Sequence, residues 1–336
     1  MRLKFSILIS LLIVVFIIAI GVGSVFIPPL HVLKAILAFI GFKIDGVSDE
    51  VLTIVTQIRL PRIIVAMTVG MALSLAGTII QGIFRNPMAE PGIIGISSGA
   101  SLGAITSIAL GLNLINIYFL PLLSFIGGLL SSIIVYLLST KRGKTPILHL
   151  ILIGLSISTL LSSISSIILS NINQYQVNEY IFWMLGGLDG RSWWHVKISF
   201  LPILIILLIS ILFSKKINIL VLGEDEAYTL GVNPELLKKL LLLLTSLITG
   251  IAVSVSGTIS FVGLIVPHIM RIIVGPDYRK LIPSSVIGGG IFLIICDSIA
   301  RMLFSPIEVK VGIVTSIVGV PYFLYLLKSR GAEYSL

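Results

Sequence analysis

Apolar segments long enough to cross a lipid bilayer follow one another along almost the whole chain. A transmembrane helix needs about 20 mainly apolar residues, because the hydrocarbon core of a bilayer is roughly 30 Å thick. Hydropathy, turn residues and breaks in charge predict ten such spans, at residues 5–26, 62–84, 93–112, 117–139, 147–170, 196–214, 238–257, 259–275, 282–302 and 310–328. No soluble domain of ordinary size fits between them. The sequence therefore predicts a single all-α polytopic membrane domain over residues 1–336.

The composition agrees with this prediction and excludes several other classes of protein. Hydrophobic residues make up 57% of the chain and charged residues 11%, whereas charged residues make up about 25% of a typical soluble domain. The formal net charge of +9 does not indicate a nucleic-acid partner, since the basic residues lie at span ends rather than on one solvated face. The single cysteine, Cys296, excludes an intrachain disulfide and a cysteine-based metal site.

The distribution of lysine and arginine predicts how the spans are oriented. With the N-terminus in the cytoplasm, the cytoplasmic side receives residues 2, 4, 85, 141, 142, 144, 215, 216, 238, 239, 271, 279, 280, 328 and 330. These are fifteen of the 23 basic residues, which leaves eight for the outer side. The positive-inside rule then predicts that both termini are cytoplasmic. We interpret the first span as retained rather than as a cleaved signal peptide, because its apolar run is long.

Residues 84–95, FRNPMAEPGIIG, interrupt the apolar pattern between the second and third spans. Pro87 and Pro91 lack a backbone N–H and disfavour a helical conformation at Asn86 and Glu90, so the helix must end here. Irregular backbone at membrane depth is tolerated where it is buried in protein or lines a wet cavity. The break is therefore either a plain cytoplasmic turn or the border of a solute path.

The fifth span carries a stripe of hydroxyl side chains on one helical face. Its members advance by three or four residues and are Ser156, Thr159, Ser163, Ser166 and Ser170. Hydroxyl groups in helices commonly bond the carbonyl four residues earlier, so a packing role and a pathway-lining role both fit. A hydroxyl lining without charge would suit a bulky polar solute that must pass without tight binding.

The longest cytoplasmic insertion, INILVLGEDEAYTLGVNPELLKK, is also the most acidic part of the chain. Gly223 followed by three carboxylates predicts the start of a helix, and Gly231 predicts its end. Asn233 and Pro234 predict the start of a second helix. Two short helices joined at a glycine fit a protruding docking element, and they also fit an ordinary solvated acidic face.

Three arginines flank spans at the predicted outer face. Arg59 and Arg62 stand at the start of the second span, and Arg301 ends the ninth. Such arginines either extend toward lipid headgroups or, as a set, pair with carboxylates of an external protein. Asp297 is the one candidate for an ionisable group in mid-membrane. Its position four residues before Arg301 predicts an i,i+4 ion pair rather than an ion-coupling site.

The chain lacks the motifs of an enzyme. The residues GKT at 143–145 resemble the end of a phosphate-binding loop, but Leu138 stands where the required glycine should be. No HExxH motif occurs, and the four histidines are too scattered in sequence to indicate a metal site. The sequence therefore predicts no catalytic residue, no cofactor and no metal.

Three segments together resemble the permease subunits of the FecCD family, which are components of ABC importers of ferric siderophores, haem and cobalamin. They are RLPRIIVAMTVGMALSLAGTIIQGIFRNPMAEPGIIGISSGA, GEDEAYTLGV and SGTISFVGLIVPHIMR, in consistent order between about residues 55 and 328. The resemblance implies ten transmembrane helices in two inverted halves, as in the cobalamin permease, within a bacterial-type inner or cell membrane. It also implies four partners besides membrane lipid: a second permease subunit, identical or paralogous, two ATPase subunits, and an extracytoplasmic solute-binding protein.

The resemblance also implies roles for particular residues. Arg59, Arg62 and Arg301 match family positions that meet glutamates of the solute-binding protein. Asn86 and Met88 match the cytoplasmic gate, and the hydroxyl stripe falls on a helix that lines the pathway. The helix that couples to the ATPase matches Gly223, Glu224, Asp225, Glu226, Ala227, Tyr228, Leu230 and Gly231.

The predicted function is therefore import of a ferric siderophore by alternating access, driven by ATPase partners. Haem or cobalamin import by the same mechanism is the alternative. An ion-coupled secondary carrier and a structural membrane scaffold are the hypotheses from other classes.

Overall fold

The computed structural model describes residues 2–23, 25–42 and 46–330, which form helices joined by short connections. Met1, Ser24, which is within the predicted first span, and residues 43–45 and 331–336 lie outside the described residues. The helices are α1 (Arg2–Gly21), α2 (Pro29–Phe39), α3 (Asp49–Thr53), α4 (Leu60–Phe84), α5 (Ile96–Ala109), α6 (Leu112–Ile115), α7 (Phe119–Ser139), α8 (Ile147–Leu169), α9 (Gln174–Met184), α10 (Trp193–Leu212), α11 (Ser214–Leu222), α12 (Glu224–Thr229), α13 (Pro234–Ser256), α14 (Val262–Val274), α15 (Tyr278–Met302) and α16 (Val311–Arg330). A π-helical turn (Ile54–Arg59) joins α3 to α4, and a 3-10 turn (Pro91–Ile94) precedes α5.

Seven helical segments of the described chain are long and apolar enough to cross a membrane. They are Leu3–Gly21, Asp49–Phe84, Phe119–Ser139, Ile147–Leu169, Trp193–Leu212, Pro234–Ser256 and Tyr278–Met302. The other three predicted spans coincide with the shorter apolar helices α5, α14 and α16. Helix α5 has 14 residues and α14 has 13, so at about 1.5 Å per residue neither crosses a roughly 30 Å core alone. Hydropathy overstates helix length at these two places, because irregular apolar backbone precedes each helix.

Helix α4 lies at the centre of the molecule and packs against α13, α14 and α15. In its most apolar window 83% of the residues are buried, against 11% for α8. Glycines allow this close packing. A Cβ atom on Gly77 would lie 1.8 Å from the Gly263 carbonyl oxygen, and one on Gly70 would lie 2.2 Å from that of Gly289. Small residues at such crossings let helix backbones touch within a membrane.

The helix ends gather at two opposite faces of the bundle. One face, called the arginine end, contains the start of α4 and the end of α15. The other, called the knob end, contains residues 85–95, the turn at 140–146 and the short helix α12. At the knob end, Lys4 Nζ donates to the Ile273 carbonyl oxygen (2.7 Å), so the start of α1 lies beside the end of α14. Helix α16 begins at the arginine end, where the Gly312 amide donates to the Gly186 carbonyl, and runs toward the knob end.

Candidate functional site

A buried charge cluster occupies the arginine end and joins α4 to α15. Asp297 is fully buried between two guanidinium groups. Its Oδ1 accepts from Arg62 Nε (3.1 Å) and Nη2 (2.9 Å), and its Oδ2 lies 3.1 Å from Arg301 Nε. Arg62 also pairs with Glu308 (2.7 Å). The predicted i,i+4 ion pair between Asp297 and Arg301 is confirmed, and it is one part of a larger network.

Two of the arginines in this cluster bind the end of α1. Arg59 donates to the carbonyl oxygens of Ile20 (2.8 Å) and Gly21 (3.0 Å). Arg301 donates to those of Ala19 (2.8 Å) and Val22 (2.7 Å). The last carbonyls of a helix have no partner within the helix, and cations stabilise that end of its dipole. The arginines therefore hold the end of α1 against α15 and the π-helical turn before α4.

The structure brings the three predicted docking arginines together, but it places them inside the molecule. Arg59, Arg62 and Arg301 are 6%, 8% and 4% exposed, respectively. The sequence does not predict this burial, because an arginine at the end of a span is expected to have an exposed side chain. Apart from the Asp297–Arg301 pair, their internal acceptors are distant in sequence: Asp297 and Glu308 for Arg62, and backbone carbonyls at the end of α1 for Arg59 and Arg301.

The predicted helix break between the second and third spans is confirmed. Helix α4 ends at Phe84, and the next residue, Arg85, adopts a left-handed conformation (φ 49°). Asn86 Oδ1 then accepts the Met88 amide (2.8 Å), which forms a tight turn through Pro87. Asn86 is exposed and Met88 is half-buried. The backbone becomes α-helical again only after Gly95, which is also left-handed (φ 79°).

Glu90 ties this connection to the second half of the chain. Its Oε1 accepts the Phe261 amide (3.0 Å) at the first residue before α14, so a carboxylate caps a helix that begins inside the bundle. Burial raises the pKa of the Glu90 carboxyl above its ordinary value, although the bond from Phe261 acts in the opposite direction. A cavity of about 190 Å³ beside it is lined by Ser97, Thr249 and Thr258. Sequence reasoning missed this residue, because its partner lies 171 positions away.

The acidic insertion forms the first predicted short helix, whereas the predicted second short helix is wrong, because Pro234 starts the 23-residue helix α13. Gly223 (φ 151°) precedes α12, and three carboxylates fill the first turn. Gly231 (φ 77°) ends this segment, and Asn233 caps α13 by accepting the Leu236 amide (3.1 Å). The exposed face of this element carries both charge and apolar area. Its members are Asp225, Glu226, Tyr228 and Leu230.

A buried lysine holds α12 in place. Lys238 Nζ donates to Glu235 (2.7 Å), to Glu224 (3.0 Å) and to the Thr145 carbonyl oxygen (3.1 Å). Glu235 in turn accepts the Thr145 amide (3.0 Å). The Lys238 side chain is 1% exposed, so the ammonium group connects α12, α13 and the turn at 140–146. Sequence reasoning used this lysine only as a topology signal. The three-residue spacing between Glu235 and Lys238 would have predicted their ion pair, because side chains three positions apart are neighbours on a helix.

The hydroxyl stripe of α8 faces outward from this chain. The Ser170 hydroxyl donates to the carbonyl three residues earlier (2.9 Å). The other four donate to the carbonyl four residues earlier, at 2.8 Å for Ser156, 3.0 Å for Thr159, and 2.9 Å for Ser163 and Ser166. All four side chains are exposed. The backbone bonds leave each oxygen able to accept one further hydrogen bond, so the stripe presents a polar and uncharged surface.

Residues 11–329 match the family described as the FecCD transport family. The chain belongs to the FecCD transport family. It is 42% identical over 286 residues to the cobalamin import system permease BtuC of Halobacterium salinarum, covering 85% of this chain and 76% of that protein. It is 38% identical to the probable siderophore transport system permease YfhA of Bacillus subtilis, covering 98% of this chain and 95% of that protein. It is also 38% identical to the hemin transport system permease HmuU of Yersinia pestis, covering 86% of this chain and 87% of that protein.

A solved structure of an inward-facing metal-chelate type ABC transporter has the same fold. Its TM-score against this chain is 0.85 at 31% identity, and the alignment covers 98% of this chain and 99% of the other. Family, fold and the seven apolar helical segments together identify a multi-pass membrane protein of the ABC importer permease class. In ABC importers of this class the ATPase is a separate subunit.

Proposed function

We propose that this chain is the transmembrane subunit of an ATP-driven importer of a ferric siderophore, working by alternating access. The observation that carries the proposal is the match of residues 11–329 to a family of transport permeases. A siderophore permease of Bacillus subtilis aligns with almost the whole chain. Cobalamin import is the second candidate, because a cobalamin permease is 42% identical to this chain.

The proposed topology has one domain, ten transmembrane helices in two inverted halves, and the knob end in the cytoplasm. Helices α5 and α14, each together with the irregular segment before it, and helix α16 supply the three spans beyond the seven long ones. The excess of lysine and arginine at the proposed cytoplasmic ends of the spans supports this orientation. Both termini are then cytoplasmic.

We propose that α12 docks into an ATPase subunit, with two such subunits serving two permease chains. An interface needs apolar area surrounded by polar groups, and the face formed by Tyr228, Leu230 and the neighbouring carboxylates has both. Lys238 transmits a displacement of α12 to α13 and to the turn before α8, because its ammonium group contacts all three.

The solute path in this proposal lies between two permease chains. The exposed hydroxyl stripe of α8 (Ser156, Thr159, Ser163 and Ser166) lines it, and the residues after α4 close its cytoplasmic end. Asn86 and Met88 are the gate residues, held in a fixed turn by the Asn86 side chain. Specificity then resides mainly in the extracytoplasmic binding protein, because the stripe carries no charge.

We propose that the binding protein docks at the arginine end over Arg59, Arg62 and Arg301. Since these side chains are bound to internal acceptors, carboxylates of the binding protein reach Arg59 and Arg301 by replacing carbonyl groups at the end of α1, and reach Arg62 by replacing Glu308. Replacing Arg59 and Arg62 with glutamate should therefore impair ATPase stimulation by the binding protein. Lys197→Glu, an exposed change at the same end, is the control. Unchanged stimulation in a correctly assembled double variant would contradict the assignment.

The decisive experiment is transport by the reconstituted complex. The chain is placed in proteoliposomes with its ATPase and binding protein, and uptake of a ferric siderophore and of cobalamin is measured with and without ATP. We expect ATP-dependent uptake of the siderophore and none by the permease alone. Uphill uptake by the isolated chain, driven by an ion gradient, would refute the proposed mechanism.

A further inference from the structure

A cavity with a basic lining opens at the knob end, beside the proposed gate residue Asn86. It has a volume of about 330 Å³ and lies between the end of α4, helix α11, the last turns of α14 and the start of α15. Arg85 and Arg271 line it, together with the Tyr278 side chain and the gate residue Asn86. Two arginines from different helices therefore face one cavity.

The charge in this cavity is not balanced by the described protein. No described carboxylate lies within 4.0 Å of either guanidinium group. Arg271 donates to a neutral acceptor, Gln81 Oε1 (2.9 Å). Asp277, which stands next to the cavity in sequence, is engaged by Arg279 (2.8 Å) and Asn218 (2.7 Å). The positive-inside rule explains why basic residues lie at this end. It does not explain why two arginines line one cavity with no described carboxylate paired to either of them.

The rest of the lining is suited to an amphiphilic anion. Val221 and Ile272 line the cavity and are 37% and 65% exposed, so it has an apolar edge beside its basic groups. Arginine is the side chain that best matches the geometry of phosphate, because its planar group donates two parallel hydrogen bonds. Basic pockets between transmembrane helices on the cytoplasmic side are known to take anionic lipid headgroups.

We infer that the cavity between Arg85 and Arg271 binds a phosphate-bearing anion, from an anionic phospholipid headgroup or from a free phosphate compound. Such an anion would contact two moving parts at once. Asn86 belongs to the proposed gate and directly follows Arg85, and Val221 belongs to α11, which leads through Gly223 into α12. Occupancy would hold the gate and the ATPase-coupling element at a fixed separation. Binding itself requires only this chain, so it can fail without affecting the proposed transport function.

The test measures anion binding to the purified full-length chain by native mass spectrometry. Phosphatidylglycerol is the lipid probe, phosphatidylcholine is the neutral comparison, and inorganic phosphate is the soluble probe. The double variant Arg85→Gln/Arg271→Gln should bind the preferred anion at least about tenfold more weakly, since charge-assisted hydrogen bonds to both guanidinium groups are lost. The matched control is Arg142→Gln/Lys144→Gln, which removes two exposed charges from the turn at 140–146.

The single variant Arg85→Gln should fold normally, because Arg85 is exposed. A loss of binding in this variant therefore reports on the cavity rather than on misfolding. The variant should weaken binding severalfold, and Arg85→Lys should restore only part of the affinity. Selective retention of phosphatidylglycerol assigns the site to a lipid headgroup, and competition by inorganic phosphate assigns it to a soluble compound. Equal losses in the two double variants would overturn the inference. So would an absence of anion binding combined with loss of ATPase assembly in Arg85→Gln, because the cavity would then serve a protein contact.

Discussion

Replacing Lys238 with methionine should loosen the ATPase-coupling element more than any exposed change near it. The ammonium group is the only cation that the described structure places against Glu224 and Glu235. Methionine has a similar length and fills the same space, so the change removes charge and hydrogen bonds while leaving little cavity. We expect lower stability together with weaker assembly of the ATPase subunits.

The expected loss follows from the burial of each partner. Removing one member of a buried ion pair costs about 3–5 kcal/mol, because the other charge stays buried without compensation. The Glu235 side chain is 16% exposed and that of Glu224 is 36% exposed. Water screens the more exposed pair, whose share is below about 1 kcal/mol. We therefore expect a loss of about 3 kcal/mol in the free energy of unfolding, almost all from Glu235.

The assay is SDS titration of the purified chain in mixed micelles, followed by co-purification with the ATPase. Lys239→Met is the matched control, because Lys239 is the exposed neighbour on the same helix. A double-mutant cycle with Glu235→Gln should recover about 1–3 kcal/mol of coupling. Equal stability of Lys238→Met and Lys239→Met, or a coupling energy of zero, would refute the argument that the ammonium group holds α12.

Three further changes test other parts of the structure. Asp297→Asn should destabilise the chain by about 3 kcal/mol, since two buried guanidinium groups lose their shared counter-charge; the exposed Asp225→Asn is its control in the same SDS titration. Gly77→Ala should cost about 1–3 kcal/mol or prevent folding, because the added carbon meets a carbonyl oxygen, whereas Gly92→Ala meets nothing within 4 Å and should melt like the parent. Because burial raises the pKa of Glu90, the folded chain binds that proton more tightly, and stability should fall as pH rises from 4.5 through the raised value. Unfolding titrations across that range should lose this slope in Glu90→Gln.

Sequence rules for prolines, glycines and helix caps predicted the features that depend only on residues close in sequence. The prolines at 87 and 91 fix a helix break, and the structure has one between α4 and α5. Gly223, Gly231 and Asn233 act through their own backbone conformation or through a cap three residues away, and all three behave as predicted. The backbone bonds of the α8 hydroxyls follow from the same short range.

The sequence could not predict side chains whose partners are distant in the chain. Arg59 and Arg301 satisfy carbonyls at the end of α1, roughly 39 and 279 to 282 positions away. Lys238 reaches Thr145 across 93 positions. In each case the residue type indicates a need for partners, since buried charges must be paired or hydrogen-bonded. The identity of the partner depends on packing, which hydropathy does not determine.

The packing of α4 also restricts where the molecule can deform during transport. At Gly70 and Gly77 the backbone of α4 touches that of α15 and α14, so these three helices cannot slide past one another without opening gaps in a dense core. They must move as one body. A change in the position of α5 relative to α4 is then absorbed between Arg85 and Gly95, where the backbone leaves the helix and two residues adopt positive φ angles. Glu90 joins this segment to Phe261, another residue with positive φ, so the proposed gate lies at the point where the bundle can bend.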